Sequence, residues 1–226
     1  MDDIAGYLAI QEGEWGEMGA TRGQLESRLE HAGEGMLVAE HDGEIVAGTT
    51  FVRLADYRFG EGLSWEELTD SGWCANNDPA GRVLFGVDLS VSRRAPRSTS
   101  ARLMAGCVEL TMRLGVEATY WGSRLPRYHR VVGEMTADQY VNARTARGRY
   151  LDPEIEVYSR IPGVVVLGAV ADYFKDWESC DYGCILEWRN PIHRYPFLRP
   201  LAPRLTGGLY RLDRRRRARE RAARAT

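Results

Sequence analysis

The sequence predicts an α/β protein built on one mixed sheet, and three observations carry that prediction. Residues 82–133 run as strand, turn, long helix, strand and short helix without interruption. Residues 35–54 form two apolar runs joined by a tight turn, so antiparallel pairing accompanies the crossover connection. The chain, at 226 residues with 44% hydrophobic and 27% charged side chains, is long enough to close a sizeable core and too apolar for a disordered class.

In order along the chain, DDIAGYLAIQEG (2–13) places apolar residues at 4, 7, 8 and 10, a short amphipathic helix ended by Gly13. TRGQLESRLEHA (21–32) gives a second helix with Thr21 as cap and Leu25 and Leu29 one turn apart. The hairpin GMLVAEHDGEIVAGTTFVRL (35–54) turns at His41-Asp42-Gly43, where glycine is wanted. Residues 55–81 are irregular, with a helical turn in SWEEL (64–68), and form a candidate substrate-facing wall or a merely tolerated insertion.

RVLFGVDLSV (82–91) is a buried strand, and STSARLMAGCVELTMRLG (98–115) a helix that opens on hydroxyl residues. VEATYWGSRL (116–125) is a strand, and PRYHRVVG (126–133) a short helix with proline in its first turn. MTADQYVNARTARG (135–148) is a helix capped by Thr136 and stopped by Gly148. GVVVLGAV (163–170) and YGCILEWRN (182–190) are strands joined by a long loop, and prolines at 191, 196, 200 and 203 prevent a regular element in 190–205. Residues 1–191 therefore read as one domain and 192–226 as a Pro/Arg-rich extension.

Composition narrows the function classes. No stretch approaches the roughly 20 apolar residues of a membrane span, and the first residues lack the order of a signal peptide, so a cytoplasmic protein is expected with no membrane partner. Cys74, Cys107, Cys180 and Cys184 have neither C-x-x-C spacing nor a histidine set, so no metal is expected and the thiols are expected reduced. Arginines outnumber the single Lys175 by 29 to one, a genome-composition bias that weakens any argument from arginine counts, and nucleic acid is not an expected partner. The run RRRRARERAARA (214–225) reads as a solvated helix, with nucleic acid, an acidic protein or anionic lipid as the alternatives.

The loop RRAPRSTSA (93–101) meets the start of the long helix. Free backbone N–H groups, the positive end of the helix dipole, three hydroxyls and Arg93, Arg94 and Arg97 would together suit a pyrophosphate. An ordinary capped helix with solvated arginines fits the same residues.

Order and residues together resemble the GCN5-related N-acetyltransferase (GNAT) superfamily, in the branch found fused to or encoded beside carbon–nitrogen hydrolases. The resemblance spans residues 2–191 and is carried by GMLVAEHDGEIVAGTT, LFGVDLSVSRRAPRSTSARLMAGCVELTMRLG, WGSRLPRYHRVVGEMTADQYV, LDPEIEVY, GVVVLGAVADYF and GCILEWRNP. It implies the GNAT fold: a mixed central sheet flanked by helices, whose fourth strand (83–91) splays from the fifth (116–122) to admit acetyl-CoA or another acyl-CoA. The superfamily's first strand is missing before residue 2, as a start codon assigned too late would explain.

By the same resemblance, main-chain groups of Leu89 and Val91 would pair with the pantetheine arm. Arg97, Ser98, Thr99, Ser100 and Ala101 would hold the pyrophosphate, although the family's loop glycines are absent. Asp88 would take the acceptor's proton, Tyr128 with His129 beside it would protonate the thiolate, and Trp15 would line the acceptor pocket. Each has a plainer role open to it: Asp88 paired with an arginine, Tyr128 and His129 packed at a sheet edge, Trp15 in the core. The implied activity is acyl-CoA-dependent N-acetyl transfer to a small-molecule amine. The alternatives are a decarboxylase and S-acyltransferase that loads an acyl carrier protein through His129, and a non-catalytic module. A carbon–nitrogen hydrolase is a further candidate partner.

Overall fold

The computed structural model describes the backbone of residues 3–223 and the side chains of residues 3–219; Asp2 and the last part of the arginine run lie outside the described residues. A six-stranded mixed sheet has the order β1-β2-β3-β4-β6-β5. It is formed by β1 (Met36–His41), β2 (Glu44–Leu54), β3 (Val83–Val91), β4 (Ala118–Arg124), β5 (Val165–Val170) and β6 (Gly183–Arg189). Only β3 and β4 are parallel; every other neighbouring pair is antiparallel.

The helices are α1 (Asp3–Trp15), α2 (Arg22–Ala32), α3 (Trp65–Thr69), α4 (Thr99–Leu114), α5 (Ala137–Asn142), α6 (Pro153–Tyr158) and α7 (Ala202–Ala223). Three of them begin as local chemistry requires. Thr21, Ser64 and Thr136 each accept the N–H three residues on, while Gln24, Glu67 and Gln139 bond back to the cap's own N–H. The hairpin turns at Asp42 and Gly43, with φ of 52° and 80°, the left-handed pair that a two-residue turn demands.

Alternation along the strands sorts the core into two layers. Leu84, Trp121 and Leu186 face the side covered by α4, where Met104, Cys107, Val108 and Met112 are buried. Phe85, Tyr120 and Ile185 face the other side, with Tyr57 and Leu68 from the 55–81 segment. Each large apolar side chain so enclosed contributes about 1.5–3 kcal/mol.

Several sequence expectations are corrected. The first helix runs through Gly13 and stops at Gly16, whose φ of 56° suits glycine, whereas an in-helix glycine costs only about 1 kcal/mol. Leu25 is buried, but Leu29 is 55% exposed. The 126–133 helix is a single 3-10 turn, Tyr128–Arg130. α5 ends at Asn142, and Gly148 turns a small bridge between Arg144 and Tyr150 instead. LDPEIEVY forms α6, for which the sequence reading named no element.

The prolines of 190–205 do not prevent structure. Pro196–Leu201 is a 3-10 helix, and α7 follows with Pro203 at its second position, where no backbone donor is needed. Ile192, Ala202 and Thr206 are buried, and Leu205 and Leu209 pack on the α4 side of the core.

Candidate active site

The parallel ladder between β3 and β4 spans four residue pairs, Val83–Gly86 against Ala118–Trp121, and there it ends. β3 continues to Val91 along β2, while β4 continues to Arg124 along β6, so the two strands part. Two local features place the branch. Val87 is an extra residue in the β2–β3 register, because Thr50 faces Asp88 and Phe51 faces Gly86, and such a bulge bends its strand. Gly86 sits so close to Trp121 that a Cβ there would lie 2.9 Å from the indole. Trp65 Nε1 donates to the Val87 carbonyl at 2.8 Å and pins the bend.

The gap opens into a cavity of about 450 Å³ that reaches from Trp65 and Phe174 to Ser100 and Met104 on α4. Beyond Gly86 the β4-facing edge of β3, with Leu89 and Val91, has no strand partner. At the far end, α4 begins without a side-chain cap on its first turn: Ser98 makes no such bond. Thr99 is buried and its N–H is taken by the Pro96 carbonyl, whereas Ser98 and Ala101 are exposed and Ser100 half-buried. Arg97 is exposed beside them. An unpaired strand edge leading to an uncapped helix start fits an extended amide-bearing arm that ends in a diphosphate.

One wall of the cavity is a hydrogen-bond network around Asp88. Its carboxylate accepts from Arg28 Nη1 at 2.8 Å, Gln11 Nε2 at 2.7 Å, Tyr7 Oη at 2.8 Å and the Thr50 N–H at 2.9 Å. Those four donors fill a carboxylate's capacity, and Arg28 is 2% exposed, so the arginine pairing open to Asp88 is present as a buried ion pair. Ser90 accepts from Trp15 Nε1 at 2.7 Å and from Gln11 at 3.0 Å, which fixes the Trp15 ring on the cavity wall.

The opposite wall holds Arg124 at the end of β4. Asp176 receives its guanidinium in a two-bond fork at 2.8 Å each, Glu178 takes a third bond at 3.1 Å, and the Arg124 head lies 5.5 Å from the Trp15 ring across the mouth. Burial disfavours the Asp176 anion, but bonds from Arg124 and Ser179 more than offset it and hold the carboxyl below the usual range. From α6, Glu154 and Tyr158 stand one turn apart on the same face and both line the cavity. Burial pushes the Glu154 carboxyl up to about 7, and burial likewise pushes the Tyr158 phenol well up.

Tyr128 and His129 are not brought to the cleft. The Tyr128 hydroxyl donates to the Met135 carbonyl at 3.2 Å, and the ring packs on Tyr140 and Tyr182. His129 bonds the Glu178 carbonyl at 3.0 Å and packs against Trp177. The tyrosines that line the cavity are Tyr158 and Tyr173, and Tyr158 stands on a helix whose start was marked in the sequence by Asp152-Pro153. Among the described residues no group of three His, Cys, Asp or Glu could hold a metal, and no helix is long and apolar enough to cross a membrane.

No protein-family model matches the chain. Two curated proteins of Bacillus subtilis (strain 168) are similar to it. An uncharacterized N-acetyltransferase, YkwB, is 31% identical over 172 residues, 76% of this chain and 75% of that protein. A probable hydrolase, YhcX, is 30% identical over 171 residues, 75% of this chain, which spans about a third (33%) of that protein's length. Among solved structures, the loading GNATL domain of CurA from Lyngbya majuscula superposes with a TM-score of 0.73 at 16% identity, covering 84% of this chain and 94% of that one. The GphF GNAT-like decarboxylase in complex with isobutyryl-CoA gives 0.71 at 23% identity, covering 83% and 95%. These two likenesses concern the fold.

Proposed function

The chain belongs to the GCN5-related N-acetyltransferase superfamily, and from that premise we propose that it moves an acyl group, in the first instance acetyl, from acyl-CoA to the amine of a small molecule. The observation that carries the proposal is the wedge between β3 and β4, which leads from an aromatic-walled cavity to the uncapped start of α4. Acyl-CoA supplies the activated thioester. Leu89 and Val91 offer main-chain groups to its pantetheine arm, and the Leu89 N–H polarises the thioester carbonyl. Ser98, Ser100 and Ala101 offer backbone donors to the diphosphate, with Arg97 adding charge, so that dipole and hydroxyls stand where the family has glycines.

The acceptor end is walled by Trp15, Trp65 and Phe174, which suits a primary amine on a flat apolar body rather than a polyhydroxylated one. Tyr158 keeps its proton near neutrality because burial raises its phenol, and from the cavity wall it returns a proton to the leaving sulfur. A decarboxylase dependent on His129 is disfavoured, since that ring is engaged with Glu178 and Trp177 outside the cavity. The similarity to a probable hydrolase supports placing the chain in the branch that accompanies carbon–nitrogen hydrolases, and hence a hydrolase as partner.

The test is a thermal-shift titration with CoA and acetyl-CoA, followed by thiol release with acetyl-CoA and tryptamine, phenethylamine or spermidine. Stabilisation of about 2.7 kcal/mol is expected at a hundredfold excess over Kd, with turnover of the aryl amines ahead of spermidine. No shift with either nucleotide thiol would overturn the proposal.

A further inference from the structure

Three carboxylates line the cavity, and two of them are spent. Glu14 is paired with Arg93 at 3.3 Å and accepts that residue's N–H at 3.0 Å. Asp88 is held by Arg28 and three further donors. Glu154 differs: its backbone N–H bonds Asp152 Oδ1 at 2.9 Å, but its carboxylate has no hydrogen bond or ion pair among the described residues.

The position of that carboxylate is nonetheless fixed. Asp152 caps α6 by accepting the N–H groups of both Glu154 and Ile155, and Asp152 is itself anchored by the Tyr140 hydroxyl at 3.0 Å. Pro153 sets the first helical residue. Around Glu154 stand Arg124 from β4, Asp176 and Glu178 from the turn beside it, Asp152 of its own cap, and Tyr158 one helical turn on. Arg124 brings little free positive charge, because Asp176 and Glu178 already hold it. Burial and the three neighbouring carboxylates therefore outweigh Arg124, and the group titrates at about 7.

We infer that Glu154 is the general base of the acyl transfer and that its substrate is the protonated form of a primary amine. The inference rests on the N-acyltransfer function proposed above. The ammonium pairs with the free carboxylate, and one N–H proton passes to the Glu154 oxygen. The nitrogen lone pair then forms the C–N bond to the thioester carbon as the C–S bond breaks. Tyr158 gives its proton to the departing sulfur and takes up the second nitrogen proton in its place, giving amide, thiol and a protonated Glu154 that returns its proton to water. A base titrating near the working pH is the one that combines a useful ionised fraction with proton affinity.

The experiment uses the full chain with acetyl-CoA and the three amines named above, and compares wild type with Glu154→Gln and Glu154→Asp. Wild-type kcat/KM should rise with pH and level off with an inflection near 7. Glu154→Gln should lose about 10²–10⁴-fold at neutral pH, lack that inflection, and recover as the amine loses its own proton at higher pH. Glu154→Asp should restore part of the rate. Two readouts are independent of turnover: the CoA-induced thermal shift should be unchanged in Glu154→Gln, and infrared difference titration should show a carboxyl signal near pH 7 that this variant lacks. A wild type that acylates an amine alongside a Glu154→Gln that keeps its rate and pH profile would overturn this inference alone. A wild type that acylates none of the amines would overturn the N-acyltransfer proposal, and the inference with it.

Discussion

At the scale of single residues, Asp88 and Glu154 show how environment divides two carboxylates in one cavity. Replacing Arg28 with methionine leaves Asp88 buried with only neutral donors, and breaking such a pair costs about 3–5 kcal/mol. The three remaining hydrogen bonds should hold the loss near the lower figure, measured by denaturant unfolding. Glu154 carries the opposite liability. Its carboxyl is raised by burial from the ordinary 4.5 to about 7, so between those values the folded protein binds more protons than the unfolded chain and loses stability as pH rises. Glu154→Gln should therefore raise Tm at pH above 7 and have little effect below 4.5, a difference on the order of 3–3.5 kcal/mol at 1.36 kcal/mol per unit. A melting series across pH reads it. The family resemblance pointed to Asp88 because it stands on the strand that matches the family's fourth. It could not reach Glu154 or Tyr158, because no spacing tells that α6 folds back over the end of β4.

At the scale of elements, the start of α4 gives a prediction whose two effects have opposite signs. Aspartate at position 100 places an anion in the first turn of a helix whose opening N–H groups lack a side-chain cap, which should stabilise the fold by about 0.3–1 kcal/mol. The same charge should repel a diphosphate and weaken CoA binding. Ser100→Asp with raised Tm and weakened CoA affinity is expected; unchanged affinity would place the diphosphate elsewhere. Elements were legible in the sequence where local chemistry is complete. Thr21 with Gln24, and Asp42 with Gly43, form caps and turns from neighbours alone. They were illegible where burial decides. α7 begins amid prolines that read as breakers, yet Pro203 occupies a position needing no donor, and the helix is held by Thr206 and Leu209 against α4.

At the scale of the whole molecule, α7 ties the far end of the chain to the wall of the cavity. Arg217 donates to the Ser159 carbonyl at 2.7 Å, and Ser159 is the residue that closes α6, the helix carrying Glu154 and Tyr158. Further back, Ile192, Ala202 and Leu205 join the core layer that also holds Trp121 and Tyr158. Two truncations separate these contributions. Ending the chain after Asp213 removes the Arg217 bond to Ser159 and the pairs that Arg216 and Arg217 make with Asp213, but no buried apolar group among the described residues, so the loss should be about 0.5–1.5 kcal/mol for the hydrogen bond and about 0–1 kcal/mol for each ion pair, with turnover lowered more than CoA affinity because α6 is loosened while β3 and α4 are not. Ending it after Pro191 strips apolar cover worth about 1.5–3 kcal/mol for each large side chain enclosed, and should leave a protein that unfolds at low denaturant or does not accumulate. If the shorter truncation instead weakened CoA binding and turnover equally, α7 would be bracing the sheet as a whole rather than the wall that carries Glu154.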